Sequence, residues 1–591
     1  MKRLLSSVIL GVVTAGFVMS SAWANQPLGV VYPPANHETT AKQIFLIGTA
    51  PPKGEVLVNG KRIQRSAGGH FAPSFPLKLG QNEFVLRYQN QEVKINVARN
   101  SAEPPAPQGA TFGKDSLLPA ADMARLPGEL MCFSAIAPTN AIVSVKLANQ
   151  LIPLQLQTSI ANLPTNAGVL TGQTQPNTDK TAGQYAGCAK AESPGNLGQP
   201  EYILNLKGTS VAQKAPGTVS VLTPAQLQVV EVTADQGTAR TGPSTDYSRL
   251  TPLPKGTRST VTGRDGEWVR LDYGAWIKAS ETKVIPGSVP VRSRIRGVTS
   301  RRRGEWTDVL FPLQTPVPIS VQQDQNRFTL TLYNTIAQTD TIRLDNNPLI
   351  SKLDWQQVAP EKIEYRFNLK SNQQWGYKLR YEGTTLVLSL KHPPKQTKQK
   401  SLSGMTILLD PGHGGPEDLG SRGPTGYPEK DVALIISKLL REELIKRGAK
   451  VIMTREKDMD LGLADRVSQI DKTEPAIALS LHYNALPDAG DAINTKGVAT
   501  FWYQPQAHDL AVFLQNYLVK KLDRPSYGVY WNNLALTRPS AAPTVLLELG
   551  FMINPVEFEW ITNPQEQKKL ALTLADGITE WLTSSPDRVA S

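Results

Sequence analysis

Hydrophobic positions along this chain follow two regimes. Up to about residue 391 they alternate with polar positions in short runs, and beyond residue 404 they form unbroken apolar stretches separated by helix-period segments. In the first regime, runs at 44–46, 56–58, 83–86 and 93–97 are divided by turn signals such as Asn59-Gly60 and Gly80-Gln81-Asn82. A period of two with such turns predicts a small antiparallel β-sandwich over residues 28–98. Residues 101–108, SAEPPAPQ, read as a Pro/Ala linker. Residues 109–225 hold further strands and form a second β-domain, with a polar, turn-rich loop at 171–185. Short strands between Gly242, Gly256, Gly266 and Gly274 make a third β-unit, residues 226–286. The alternation returns at 328–333, 364–367 and 386–390, which gives a fourth over 291–391. A basic, proline-containing linker, 392–403, closes this region.

Residues 404–583 read differently. Strands are predicted at 406–409, 451–453, 476–481, 498–503 and 544–547, and helices at 429–447, 463–470, 509–522 and 565–582. In the first helix Val432, Ile435, Ile436, Leu439 and Leu440 share one face, and Gly448 ends it. Strands alternating with helices predict a mostly parallel sheet covered on both faces. The fold class is therefore multidomain, with β-rich N-terminal modules followed by a C-terminal α/β domain.

Composition and charge add context. Lys2 and Arg3 precede an apolar run over 4–19, and Ala22-Trp23-Ala24 follows. This predicts a signal peptide, residues 1–24, cleaved after Ala24. The run is short for a membrane span, and no later stretch is apolar enough to be one. An exported protein, in the periplasm or the cell wall, follows. Export makes a disulfide the default reading of the two cysteines, Cys132 and Cys188. The net charge is +12, yet residues 404–591 carry 19 basic and 24 acidic side chains, a balance of −5, which leaves +17 for the rest. A basic arm favours an anionic wall or lipid surface over nucleic acid in an exported chain, or serves solubility. The arginines of segment 292–303 are either part of that patch or a solvated edge.

The candidate chemistry lies in the last domain. The strand at 406–409 runs into Asp410-Pro411-Gly412-His413-Gly414-Gly415. Glu429 opens a helix, the strand at 476–481 ends on His482, and the strand at 544–547 ends on Glu548. Ligand sites in open α/β sheets gather beyond the carboxyl ends of the strands, so these groups can share one rim. His413, Glu429 and His482 make a His2Glu donor set that suits one zinc ion with a fourth position open, although copper or nickel would accept the same donors. Glu548 is a carboxylate left over for proton transfer.

At these positions the chain resembles the zinc N-acetylmuramoyl-L-alanine amidases. The matching residues are 408–415 (LLDPGHGG), 429–432 (EKDV), Thr454-Arg455, 480–485 (SLHYNA) and 547–551 (LELGF), in order within 405–582. The resemblance implies that His413, Glu429 and His482 hold zinc and that Glu548 is the catalytic acid/base. It also implies that the substrate is peptidoglycan, cut between the muramic lactyl group and the first L-Ala of the stem peptide. Two departures stand out: the loop from His413 to Glu429 is about one residue longer than usual, and Tyr483 replaces a small residue. Residues 486–496 are too few for the helical insertion of partner-regulated members. A wall endopeptidase and a non-catalytic wall binder remain as other classes. The HExxH spacing of many zinc peptidases is absent, and all four active groups are present, which disfavours a binder. Residues 226–286 resemble the bacterial SH3-like wall domain through 239–244 (ARTGPS), 253–256 (LPKG), Trp268 and 274–277 (GAWI). Residues 28–98 read as Ig-like, and 291–391 faintly resemble the β-domains that localise periplasmic amidases.

Overall fold

The computed structural model describes residues 27–101, 106–157, 160–163, 177–179, 183–395 and 401–584. The expected signal peptide, and residues 102–105 and 396–400 of the two linkers, lie outside these, as does most of the 171–185 loop. Among the described residues no helix is long and apolar enough to cross a membrane.

The β-rich region is built of several sheets. Gly80–Tyr88 and Gln91–Arg99 form a long antiparallel hairpin, and Asn36–Thr39 joins its second strand in parallel. Ile44, Val56, Phe71, Phe84, Leu86, Ile95 and Val97 close one core there. In the second segment Leu130–Ile136 and Gln184–Lys190 pair with Cys132 directly opposite Cys188, and the two are joined as a disulfide. In a chain-entropy picture a loop of 56 residues closed this way stabilises by roughly 4 kcal/mol.

A sheet crosses the boundary expected between residues 225 and 226. Met123–Arg125 pairs with Val219–Val221 on one side and with Arg258–Asp265 of the third segment on the other. The reason is length: strands of three residues bury too little alone and borrow a longer neighbour's edge. The fourth segment packs a five-stranded sheet on a four-stranded one around Ile295, Val309, Phe311, Phe328, Leu330, Tyr365 and Phe367. Its arginine-rich stretch is the strand Ser293–Arg303. Arg301 and Arg303, with Arg380, pair with the fully buried carboxylate of Asp308, and Arg292 pairs with Glu361. Part of the arginine run is thus consumed internally.

The C-terminal domain contains β1 (Thr406–Pro411), α1 (Glu429–Lys446), β2 (Lys450–Met453), α2 (Leu463–Thr473), β3 (Ile477–Asn484) and β4 (Val498–Trp502). It continues with α3 (His508–Leu522), β5 (Ser526–Trp531), β6 (Thr544–Phe551), α4 (Pro555–Thr562) and α5 (Pro564–Ser584). The sheet order is β2-β1-β3-β6-β4-β5. All pairs are parallel except β4 with β6. Alternation sorts the side chains. Ile407, Leu409, Leu479, Leu481, Val545 and Leu547 face α1, α3 and α5, while Leu408, Ala478 and Leu546 face Ile470 of α2 and Leu536.

Strand β5 and helix α4 are absent from the sequence reading. β5 is a half-exposed edge interrupted by Gly528, so it shows no clean period. α4 is eight residues long, but it did carry a start signal: Asn554 caps the N–H groups of Val556 and Glu557, with Pro555 next.

Among the described residues, the first and fourth segments both dock on this domain. The first segment covers Phe551 and Ile553 with Phe45, Ile47 and Ala72, while Tyr32 and His37 bond Asp488 in the loop after β3. The fourth segment meets the opposite end of the sheet. There Trp375 contacts Trp581 at 5.4 Å, and Lys391 Nζ donates to the Glu474 carbonyl at 2.8 Å.

Candidate metal centre and active site

His413 follows β1 with φ 57°, a left-handed turn that aims the imidazole back over the strand ends. Two glycines make room for the side chains gathered there. A Cβ at Gly412 would lie 2.4 Å from the His482 ring, and one at Gly420, where φ is +68°, would lie 2.6 Å from both His413 and Glu429.

The loop is held by two buried arginines. Arg455 donates to the carbonyls of Pro411 at 3.0 Å and Gly412 at 2.8 Å. Arg466 donates to those of Pro411 and His413, both at 2.7 Å, and to Asp410 Oδ1 at 2.8 Å. Asp410 also accepts from Thr454 and from Ser480. The Asp410–Arg466 pair is therefore fully bonded inside the domain, as a buried charge pair must be.

Glu429, the first residue of α1, lies where the helix dipole favours an anion. It is nearly buried, and its carboxylate accepts from Ser421 N at 2.8 Å, Ser421 Oγ at 3.0 Å and Tyr483 N at 2.9 Å. Its Oε1 lies 3.2 Å from His413 Nε2 and 3.0 Å from His482 Nδ1. Burial pushes its pKa up, but hydrogen bonds and charge from the two histidines hold it well below the usual range. Burial opposes protonation of His413 too, yet Glu429 and Asp418 raise it to about 9.

His413, Glu429 and His482 come from three separate stretches of chain, and their donor atoms all lie within 4.8 Å of one another. His413 Nδ1 bonds Asp418 Oδ1 at 2.5 Å, the outer contact that metal-bound imidazoles keep. Glu548 is the register partner of His482 on β6. Its Oε2 is buried with no hydrogen-bond partner, and burial with the Glu429 charge holds its pKa well above the ordinary value. One carboxylate and two imidazoles, with an unpartnered carboxylate oxygen beside them, fit a divalent cation.

The sequence reading missed Asp418, Ser421 and Arg466. The partners of Arg466 lie across the fold, while Asp418 and Ser421 reach His413 and Glu429 through the path of an irregular loop that no periodicity marks. Tyr483, the unusual substitution, points away from the rim into the core and is 1% exposed.

The fold and site define an α/β domain with a His-Glu-His donor set and an acidic neighbour on its strand-end rim. The family profile described as N-acetylmuramoyl-L-alanine amidase matches residues 407–580. The chain is 34% identical over 208 residues to the germination-specific N-acetylmuramoyl-L-alanine amidase of Bacillus subtilis, covering 32% of this chain and 83% of that one. It is 36% identical over 191 residues to the probable cell wall amidase LytH of Staphylococcus aureus, covering 32% of this chain and 62% of that one. Among solved structures, an N-acetylmuramoyl-L-alanine amidase from Clostridium difficile 630 matches at 29% identity and a TM-score of 0.29, over 31% of this chain and 99% of that one. The chain belongs to the N-acetylmuramoyl-L-alanine amidase family, and it is an enzyme of that class.

Proposed function

We propose that this protein is an exported zinc amidase, its leader (residues 1–24) removed after Ala24. It hydrolyses the bond between the lactyl group of muramic acid and L-Ala in peptidoglycan, to remodel the wall or separate cells. The observation that carries this reading is the meeting of His413, Glu429 and His482 donors within 4.8 Å, beside the unpartnered Glu548 oxygen. These three side chains would hold one zinc, with Asp418 fixing the His413 ring. A zinc ion there supplies a Lewis acid that polarises the scissile carbonyl and makes water acidic enough to attack near neutral pH. Glu548 takes the proton of the attacking water and delivers it to the leaving nitrogen. Arg455 and Arg466 keep the His413 loop in place.

The β-rich region serves as the wall-holding arm. Residues 226–286 are read as an SH3-like unit, supported by a small core of Val230, Leu253, Val269, Leu271 and Ile277. Residues 28–98 are read as Ig-like, and 291–391 as a wall-targeting β-domain.

Digestion of purified sacculi with the full-length chain, followed by identification of the new termini, tests the reaction. Free stem peptides beginning with L-Ala are expected. Cleaved cross-links would make it an endopeptidase, and no products would leave only a binder.

A further inference from the structure

A cleft of about 660 Å³ opens where the third and fourth β-segments meet the α/β domain. Arg249 and Tyr273 come from the third segment, Gln323 from the fourth, and Tyr503 and Trp531 from the ends of β4 and β5. Because β4 runs antiparallel to β6, with Ala499 opposite Glu548, Tyr503 lies toward the other end of the sheet, roughly 13 Å along the strand from the candidate metal centre.

Three features of this cleft bear on binding. The first is charge. Arg249 lines the cleft, with Arg240 behind it as its bridge partner; Arg538 lies close enough for both to depress its pKa, to about 10, after burial, and the one carboxylate acting on Arg249 is that of Glu281. Their hydrogen bonds go to neutral groups: Arg240 to the Thr245 and Tyr247 carbonyls, Arg249 to Thr238 Oγ1, and Arg538 to Asn533. Like charges placed opposite each other are destabilising unless an anion joins them. The second is unmet polarity: Tyr273 Oη and Gln323 Oε1 are buried without a partner. Each such group costs stability until a ligand bonds it. The third is an aromatic platform. Trp531 is 60% exposed, yet it is fixed by a bond from its Nε1 to the Tyr503 carbonyl at 3.1 Å and by the Tyr503 ring at 5.2 Å. A rigid, wet tryptophan offers a flat apolar face with a polar rim.

The ligand these groups suit has a flat ring face, hydroxyl or amide donors, and a carboxylate. Hydrolysis of the lactyl amide makes that combination: water's oxygen ends on the lactyl carbon, the amine departs with a proton, and muramic acid gains a free carboxylate. We propose that this cleft is a second glycan site that holds the enzyme's own glycan product, with the sugar face on Trp531 and the freed lactyl carboxylate on Arg249. This rests on the amidase reading above.

The test is calorimetric titration of the full-length chain with the N-acetylglucosamine–N-acetylmuramic acid disaccharide, which has no lactyl amide left to cut. Binding is expected, and Trp531→Ala and Arg249→Gln should each weaken it by about tenfold or more. Di-N-acetylchitobiose, which lacks the carboxylate, should also bind about tenfold more weakly. His413→Ala should bind the disaccharide like the wild type. Unchanged affinity in both Trp531→Ala and Arg249→Gln, equal affinity for di-N-acetylchitobiose, or binding of free stem peptide alone would overturn the proposal. Failure of the amidase reading shows separately, as sacculi that release no stem peptides.

Discussion

His482 on β3 and Glu548 on β6 are direct register partners on adjacent parallel strands. Strands in that relation lie about 4.8 Å apart, and paired residues project from the same face. The sheet itself therefore sets an imidazole of the candidate donor set beside a carboxylate with one oxygen that no protein group satisfies. Glu548→Gln keeps the shape and removes the proposed base. It should retain zinc and lose about 10²–10⁴-fold in turnover. Single-turnover assays with metal analysis of the same sample check this, and wild-type turnover would refute the role.

The donor set should behave as one unit. His413→Ala or His482→Ala should each abolish the one zinc per chain proposed here, measured by elemental analysis. Asp418→Ala should keep the metal but bind it about 10–100-fold more weakly. Chelator competition reads that difference, and full zinc retention by both histidine variants would remove the site.

Arg466 is predicted to act on stability as well as on geometry. Its side chain is 3% exposed and its partner Asp410 is 1% exposed. Arg466→Met takes the paired cation from the Asp410 carboxylate and releases the His413 carbonyl, so it should cost about 3–5 kcal/mol in urea unfolding. A loss under 1 kcal/mol would mean the loop is held some other way.

Asp471 gives a pH dependence. Burial raises its pKa to about 6, Lys378 opposes this, and Glu474 adds to it. The folded state therefore keeps this proton more tightly than the unfolded state. The stability it contributes is present below the ordinary aspartate pKa and is lost as pH rises through about 6. Asp471→Asn should melt higher than the wild type at pH 7.5, by an amount worth about 1–3 kcal/mol, and equal it near pH 4. Equal melting at both values would show that burial there costs nothing.

The charge division predicts salt sensitivity. With +17 outside residues 404–591 and −5 within them, binding of the full-length chain to sacculi should weaken as salt rises, since exposed charges are screened beyond about 10 Å at 0.1 M. A chain beginning at Ser401 should bind more weakly and melt lower, because it uncovers Phe551 and Ile553. Pull-down at low and high salt, with melting curves, tests both. Tight, salt-independent binding by the shortened chain would make the arm a spacer.

Much of the catalytic domain was legible in the sequence. Unbroken apolar runs ending on His482 and Glu548, and the helical period starting at Glu429, encode which faces are buried and where each element stops. Those are local properties, written in the residues themselves. The pairing of Cys132 with Cys188 needed only the inference of export. What the sequence could not carry was who covers whom. The sheet shared by Met123–Arg125 and Arg258–Asp265, the first segment lying on Phe551, and the arginines spent on Asp308 depend on contacts between distant stretches. Asp418 and His413, and Ser421 and Glu429, are near in sequence, yet only the folded path of the loop brings each pair together. Periodicity specifies that a surface is apolar or that a charge needs a partner. Only the packed chain, where burying that surface must repay the entropy of ordering it, decides which partner it receives.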